Sequence, residues 1–279
     1  MPEEKIHFVF NCIQSFILGI IQGVTEFLPI SSTAHLKVVP YLFGWNDPGV
    51  SVSASLQLGS ALAIFFYFRK EINVLFKSFI SIATHRRLFM DDNSKLLFYI
   101  FVANVPILVF GLAIKLFWSD FSSSYFRGLF SISLVSIVMA ILLALSEIYG
   151  GKKKLFSNIK LIDIVLLGIS QALAIFPGVS RSGITLTSAL FSGIERQTAA
   201  RLSFLVGLPA ISISGLVELS SLYRSSTFLY ALPIIIGIIS SFFSSIIAIN
   251  LLLKFLANNN TFIFVYYRLA FGIFILSTL

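Results

Sequence analysis

The chain has a single cysteine, Cys12, in 279 residues. One thiol can neither close an internal disulfide nor build a thiolate metal site, which needs several such ligands. Charge is scarce as well. Only 11% of residues are Asp, Glu, Lys or Arg, against about a quarter in a soluble domain. No soluble domain of useful size is left over. Hydrophobic residues make up 57% of the chain and the mean hydropathy is +0.95, which marks a polytopic membrane protein. A net charge of +8 would suggest nucleic acid in a soluble protein. Here the basic residues lie in loops between apolar runs, where Lys and Arg report membrane orientation, so no nucleic-acid partner is expected. The first apolar run is not expected to be a cleaved signal. Its flank carries Glu3, Glu4 and Lys5, and it leads into a polar motif without an A-x-A site.

A helix needs roughly 20 apolar residues to cross about 30 Å of hydrocarbon. Six runs meet that length, near 50–68, 95–117, 127–149, 199–222, 229–256 and 262–279. Residues 7–44 and 160–193 are also apolar but are broken by Pro29 and by Pro177-Gly178. Proline removes a backbone donor and clashes with the preceding turn. Non-helical backbone at membrane depth is tolerated where it is buried in protein or lines a cavity. Both regions are therefore read as re-entrant helix–loop–helix hairpins, with pairs of ordinary spans joined by tight turns as the other reading.

The two hairpins echo each other, LGIIQGVTEFLPISSTAH (Leu18 to His35) against LGISQALAIFPGVSRSGIT (Leu167 to Thr185). An offset of 148 relates Pro29 to Pro177, Ser32 to Ser180, Ser55 to Ser203 and Gly59 to Gly207. Three spans separate the hairpins, so the second enters from the opposite side to the first, as in inverted-repeat membrane proteins. The fold expected is an all-α integral membrane protein with about six transmembrane helices and two re-entrant hairpins in an inverted-topology repeat. It forms one domain over 1–279, with repeats near 7–149 and 160–279. The connections 69–95 and 150–160 carry ten of the 20 Lys and Arg residues and fall on one side, expected to be cytoplasmic. The first hairpin then opens to the exterior.

Ionisable groups at membrane depth are costly and by default mark a functional site. Gln22 and Glu26 are four apart and share a helix face. Ser31, Ser32 and Thr33 start the next half-helix, as Ser180, Arg181, Ser182 and Gly183 do after Gly178. Serine and threonine are favoured helix caps, and buried helix N-termini are ready anion sites. Two such ends facing each other, with Arg181 in one, suit a phosphate or diphosphate, because arginine binds phosphate oxygens through a bidentate fork. Ser32 and His35 are three apart, so a helix that begins at Ser32 puts them on one face. Each residue also has a plainer role: a serine capping its helix, His35 as a satisfied buried histidine, Glu26 as the structural partner of Arg181. Nucleophile, acid–base, cation and anion-binding ends in two matched segments favour chemistry over structure.

At these residues the chain resembles the undecaprenyl-diphosphatase family, also called the bacitracin-resistance phosphatases. QGVTEFLPISSTAH fits that family's first motif, E/Q-x-x-x-E followed by P-x-SST-x-H, and PGVSRSGIT fits its second, PGxSRSxxT. LQLGSALA (Leu56 to Ala63) and RLSFLVGLPA (Arg201 to Ala210) resemble family segments too. The resemblance implies a multi-pass enzyme of the bacterial inner membrane that removes the terminal phosphate of undecaprenyl diphosphate. It thereby recycles the lipid carrier for peptidoglycan and other envelope glycans, and it confers bacitracin resistance. It also implies an active site facing the periplasm or exterior and dependence on Mg²⁺ or Ca²⁺. By position, Ser32 is the implied nucleophile and His35 the general base or acid, with the reverse assignment open. Glu26 and Gln22 fall in the acidic motif implied to hold the metal ion or position water, and Arg181 is implied to bind the phosphates with Ser180, Ser182, Ser31, Thr33 and Gly178 around it. Gln22 stands where many members have Glu; it can coordinate through its carbonyl but adds no charge. The alternative function is a carrier or flippase of a polyprenyl phosphate lipid without hydrolysis, which inverted repeats with re-entrant hairpins also suit. Homo-oligomerisation is left open.

Overall fold

A computed structural model describes residues 2–47, 49–85, 92–118, 121, 125–224 and 231–279. Among these the chain is helical, in the order α1 (Pro2–Phe27), α2 (Ser32–Phe43), α3 (Gly49–Tyr67), α4 (Arg69–His85), α5 (Asp92–Phe117), α6 (Leu129–Tyr149), α7 (Leu161–Ala172), α8 (Arg181–Phe191), α9 (Arg196–Arg224), α10 (Ala231–Asn258) and α11 (Phe262–Ser277). Six are long and apolar enough to cross a membrane: α1 over Phe8–Phe27, α3, α5, α6, α9 and α10. That set differs from the expected one. The run at 262–279 forms only a 16-residue helix, Phe262–Ser277, about 24 Å at helical rise. Conversely, nothing before Pro29 interrupts α1, which runs 26 residues. The basic connection after α3 also holds a helix, α4, whose Leu75 is buried while Lys70 and Lys77 are exposed.

Close contacts fix the direction of each helix. The Cβ positions of Gly19 and Gly23 lie against Gly237–Ser240 and Ser241–Ser245 respectively, so α1 and α10 run parallel. Gly59 meets Ile238 and Ser241, and Ser60 shares a hydrogen bond of 3.2 Å with Ser241, which adds α3 to the same direction. Small residues permit this approach of backbones in a membrane bundle. In the second half Tyr99 donates to the Ile159 carbonyl at 2.9 Å and Ala103 backs onto Gly168, so α7 lies parallel to α5. Successive spans α3 and α5 run in opposite senses. Hence α1 and α7 run in opposite senses.

The remaining pairs are self-paired across the repeat. Ser51–Glu218, Leu58–Gly215 and Phe68–Phe204 set α3 antiparallel to α9. Ser133–Gly272 and Ser136–Arg268 set α6 antiparallel to α11. At the basic face, buried Glu147 accepts from Arg196, from Lys152 and from the Thr261 hydroxyl at 2.8 Å. That carboxylate ties the end of α6 to the starts of α9 and α11. A buried carboxylate is stable only when paired and hydrogen-bonded in this way.

The offset of 148 needs one correction. Ser31 and Ser180 are the caps of α2 and α8, with φ of 75° and 71°, and each side chain accepts from the backbone N–H three residues on. Their separation, 180 − 31 = 149, sets the register at the hairpin tips, while Gly59 and Gly207 keep 148 further on. Aligning Pro29 with Pro177 slipped the tips by one position, because the proline stands one place earlier relative to the cap in the second copy. The structural counterpart of Ser32 is therefore Arg181, not Ser180.

Candidate active site

The helices α1 and α7 each end shortly before a proline, Pro29 and Pro177, that cannot donate, and a serine in the left-handed region starts the next helix. Such backbone is uncommon for a residue with a side chain. It is held here by the cap bond of Ser31 to Ala34 N–H at 3.4 Å and of Ser180 to Gly183 N–H at 3.1 Å. The tips touch. Thr33 Oγ1 accepts from Gly178 N–H at 3.5 Å and Ser182 donates to the Leu28 carbonyl at 3.2 Å. Within each tip the paired hydroxyls repeat, Ser31 with Thr33 at 3.1 Å and Ser180 with Ser182 at 3.3 Å. Gly178 has φ +93°, which a side chain would not adopt without strain.

Glu26 is where the two tips meet electrically. Its Oε2 accepts from Ser32 Oγ at 2.8 Å and from Gln22 Nε2 at 2.9 Å. Its Oε1 accepts from Arg181 NH2 at 3.2 Å across the tip interface. The two counterparts, Ser32 and Arg181, thus converge on one carboxylate. Arg181 also donates to the Ser203 carbonyl at 3.1 Å, while its Nε is buried with no acceptor among the described residues. Gly207 leaves the space that this guanidinium fills: a Cβ there would coincide with Arg181 NH1. The second hairpin carries Ile175 at the place equivalent to Glu26 and the first carries no arginine at its tip, so neither half is complete alone.

His35 is placed differently from expectation. It lies in α2 near Ser32, but its ring does not bond the serine. Nδ1 lies 2.7 Å from the Ser31 carbonyl, an acceptor, so Nδ1 carries the proton and Nε2 accepts from Tyr267 OH at 2.6 Å. Phe271 stacks on the ring at 4.2 Å between centroids. The group that reaches the Ser32 hydroxyl is Glu26. Sharing a helix face was correct as spacing, yet the side chain turns toward α11.

Arg268 on α11 was missed by the sequence reading. It is 1% exposed and donates to Pro29 O at 3.0 Å, Gly178 O at 2.6 Å, Val179 O at 3.3 Å and Ser136 O at 3.3 Å. The signal was present: one arginine inside an apolar run, FIFVYYRLAFGIFILS, falls under the same rule as Glu26. It belongs to neither motif.

Among the described residues no group of three or more His, Cys, Asp or Glu forms a metal cluster. Glu26 is the carboxylate of the site, and beside it Gln22 Oε1 is buried with no hydrogen-bond partner. One carboxylate and one orphaned amide oxygen fit a Mg²⁺-type ion completed by water and substrate phosphates rather than an all-protein cage.

The family described as "Bacitracin resistance protein BacA" matches residues 15–274. A protein of Prochlorococcus marinus strain NATL1A named "Undecaprenyl-diphosphatase" is 69% identical over 279 residues, covering the whole of both chains. Two proteins of the same name, from Prochlorococcus marinus strain MIT 9313 and Synechococcus sp. strain CC9605, are each 49% identical. The first covers 95% of this chain and 89% of its own, the second 99% and 96%.

Proposed function

The chain belongs to the bacitracin resistance protein BacA family, and on that premise we infer that it is an undecaprenyl-diphosphatase. It is an integral membrane enzyme that hydrolyses undecaprenyl diphosphate to undecaprenyl phosphate and inorganic phosphate. The observation that carries the residue assignment is the single carboxylate, Glu26, bonded at once to the Ser32 hydroxyl at 2.8 Å and to the Arg181 guanidinium at 3.2 Å.

Phosphoryl transfer is catalysed mainly by positioning and by charge stabilisation at the phosphoryl oxygens. Arg181 supplies charge and an unused Nε–H donor for the terminal phosphate. The first-turn N–H groups of α2 and α8 add dipoles aimed at an anion. Ser32 is the nucleophile in this reading. Its Oγ bonds to the terminal phosphorus as its proton passes to Glu26 Oε2, and the bond from that phosphorus to the bridging oxygen breaks. The departing undecaprenyl phosphate takes the proton from Glu26. Water then attacks the phosphoserine, its proton goes to Glu26, and Glu26 returns it to Ser32 as phosphate leaves. Glu26 and Gln22 would hold Mg²⁺ or Ca²⁺ together with substrate phosphates, and that ion would supply further neutralisation of the phosphoryl oxygens. His35 keeps the Ser31 carbonyl in place and so holds the cap beside the nucleophile.

The basic connections make the α4 side cytoplasmic, so the first hairpin opens to the exterior and the reacting phosphate is reached from there. The relatives' names give the carrier reading no support, and a carrier has no use for a serine bonded to a base. The test is phosphate release from undecaprenyl diphosphate by purified protein, with and without EDTA. Release that stops with EDTA and returns with Mg²⁺ or Ca²⁺ is expected. Lipid transfer between liposome leaflets without phosphate release would overturn the assignment.

A further inference from the structure

We propose that Arg268 is a positioning residue that builds the phosphate-binding face of both hairpin tips by holding their carbonyl oxygens away from it. This rests on the diphosphatase reading of the same site. The guanidinium spends its hydrogens on backbone carbonyls: Pro29 from the first tip, Gly178 and Val179 from the second, and Ser136 of α6. In return Ser136 Oγ donates to the Arg268 carbonyl at 3.3 Å, which anchors the arginine's own turn of α11 to α6. Among the described residues no carboxylate lies within salt-bridge distance of it.

The consequence follows from peptide geometry. The unit is planar and trans, so its C=O and N–H point in opposite directions. Every carbonyl pinned on Arg268 therefore sends the next N–H to the far side. Pinning Val179 O directs the Ser180 N–H away from Arg268, and that N–H has no acceptor among the described residues. Pinning Pro29 O fixes the turn that delivers Ser31 and Ser32 in the first tip. One rigid side chain thereby sets the relative placement of both helix N-termini. A second effect is electrostatic. An arginine bonded only to carbonyls leaves its charge uncompensated, and a hydrogen-bonded chain in a low-dielectric interior polarises its members. The Ser180 N–H turned outward becomes a stronger donor to a phosphoryl oxygen, while the Ile30 and Val179 N–H groups lock the two turns by donating to Leu28 O and Phe176 O. Gly183 fits the arrangement, because a Cβ on it would come within 3.1 Å of Arg268 NH1 and crowd the clamp.

Lysine is the informative substitution, because it keeps the charge but lacks the planar fork that gathers several carbonyls. The experiment measures inorganic diphosphate binding by titration calorimetry, and kcat and KM for undecaprenyl diphosphate, on detergent-purified full chain. Wild type is compared with Arg268→Lys and Arg268→Met, normalised to the folded fraction from size exclusion and thermal melts. Losing one oxyanion-type donor typically costs about 10²- to 10³-fold in rate, so kcat of Arg268→Met should fall by about that factor. Arg268→Lys keeps the charge but not the fork, so it should bind diphosphate about tenfold more weakly than wild type and recover little of kcat. If Arg268→Met does not fold, the lysine variant carries the test. Lowered melting temperature with kcat per folded molecule unchanged would overturn the proposal, as would full recovery of kcat by lysine. Wild-type protein that binds diphosphate but releases no phosphate would refute the diphosphatase reading instead. The calorimetry then still decides the clamp, with a loss of about tenfold or more in diphosphate affinity expected for both Arg268→Met and Arg268→Lys, and wild-type affinity in the lysine variant overturning it.

Discussion

Gly207→Ala isolates Arg181, the residue proposed to bind the phosphate, from everything else in the protein. The glycine sits within α9, where alanine is the better helix former, so the backbone gains from the change by about 1 kcal/mol. The added methyl, however, would occupy the position of Arg181 NH1 and lie 2.9 Å from its Nε. An ordinary separation between heavy atoms is about 3.5 Å or more, so the guanidinium has to retreat by about 2 Å. That is enough to break its 3.2 Å contact with Glu26 and its 3.1 Å bond to Ser203 O. Glu26 keeps Ser32 and Gln22 as donors, so the carboxylate is not left bare and the fold should survive. A misplacement of about 1 Å at a reacting centre can cost 10²-fold; at 1.36 kcal/mol per decade, that is about 3 kcal/mol of transition-state stabilisation. Phosphate release from undecaprenyl diphosphate should therefore fall by at least that factor while the melting curve stays close to wild type. Gly59→Ala is the control, because its methyl meets the Ile238 backbone and the Ser241 Cβ at 2.8 Å, which cannot swing aside. It should lower folded yield and melting temperature instead. Wild-type turnover by Gly207→Ala, within about threefold, would refute the placement of Arg181 in the site.

Ser32→Ala and Glu26→Gln should each abolish release to below about one part in 10³, since both belong to one proton-transfer unit; substantial activity in Ser32→Ala would move the nucleophile to water. His35→Gln, by contrast, should cost only about tenfold, and Tyr267→Phe should reproduce part of that loss, because the ring bonds Ser31 O and Tyr267 rather than Ser32. Glu147→Ala should destabilise the protein by about 1–3 kcal/mol, the cost of leaving the buried Thr261 hydroxyl and N–H without their acceptor, with turnover per folded molecule unchanged. Glu195 caps α9 outside the span. Burial pushes its carboxyl up, but bonds from the Thr198 and Gln197 backbone N–H outweigh this and hold it below its ordinary value of 4.5. A depressed carboxyl contributes stability above its unfolded value that is lost as pH falls through the folded one. Acid melting scans should therefore show a steeper loss of stability below about pH 4.5 for wild type than for Glu195→Gln.

Much of this site was legible because ionisable residues are conspicuous in apolar sequence. Glu26, Arg181 and the two serine-rich starts stand out by composition, and counting spans is enough to turn the hairpins against each other. Two things were not legible. Which group reaches the Ser32 hydroxyl depends on side-chain direction. His35 has the right spacing, but Tyr267 and Phe271 of a helix more than 230 positions away draw its ring aside. The register of the tips was hidden as well, since prolines invite alignment by identity while the caps are defined by backbone torsion.

The sequence by itself determined that the chain lives in a membrane, that it is doubled, and which residues cannot be merely lipid-facing. Those follow from local quantities: hydropathy over a span, proline inside a run, charge where charge is costly. Only the tertiary structure decided that Ser32 and Arg181 are counterparts meeting on Glu26, and that Arg268 holds both tips. Those are facts about atoms brought together from separate helices, and close packing of the bundle, not sequence spacing, sets their distances.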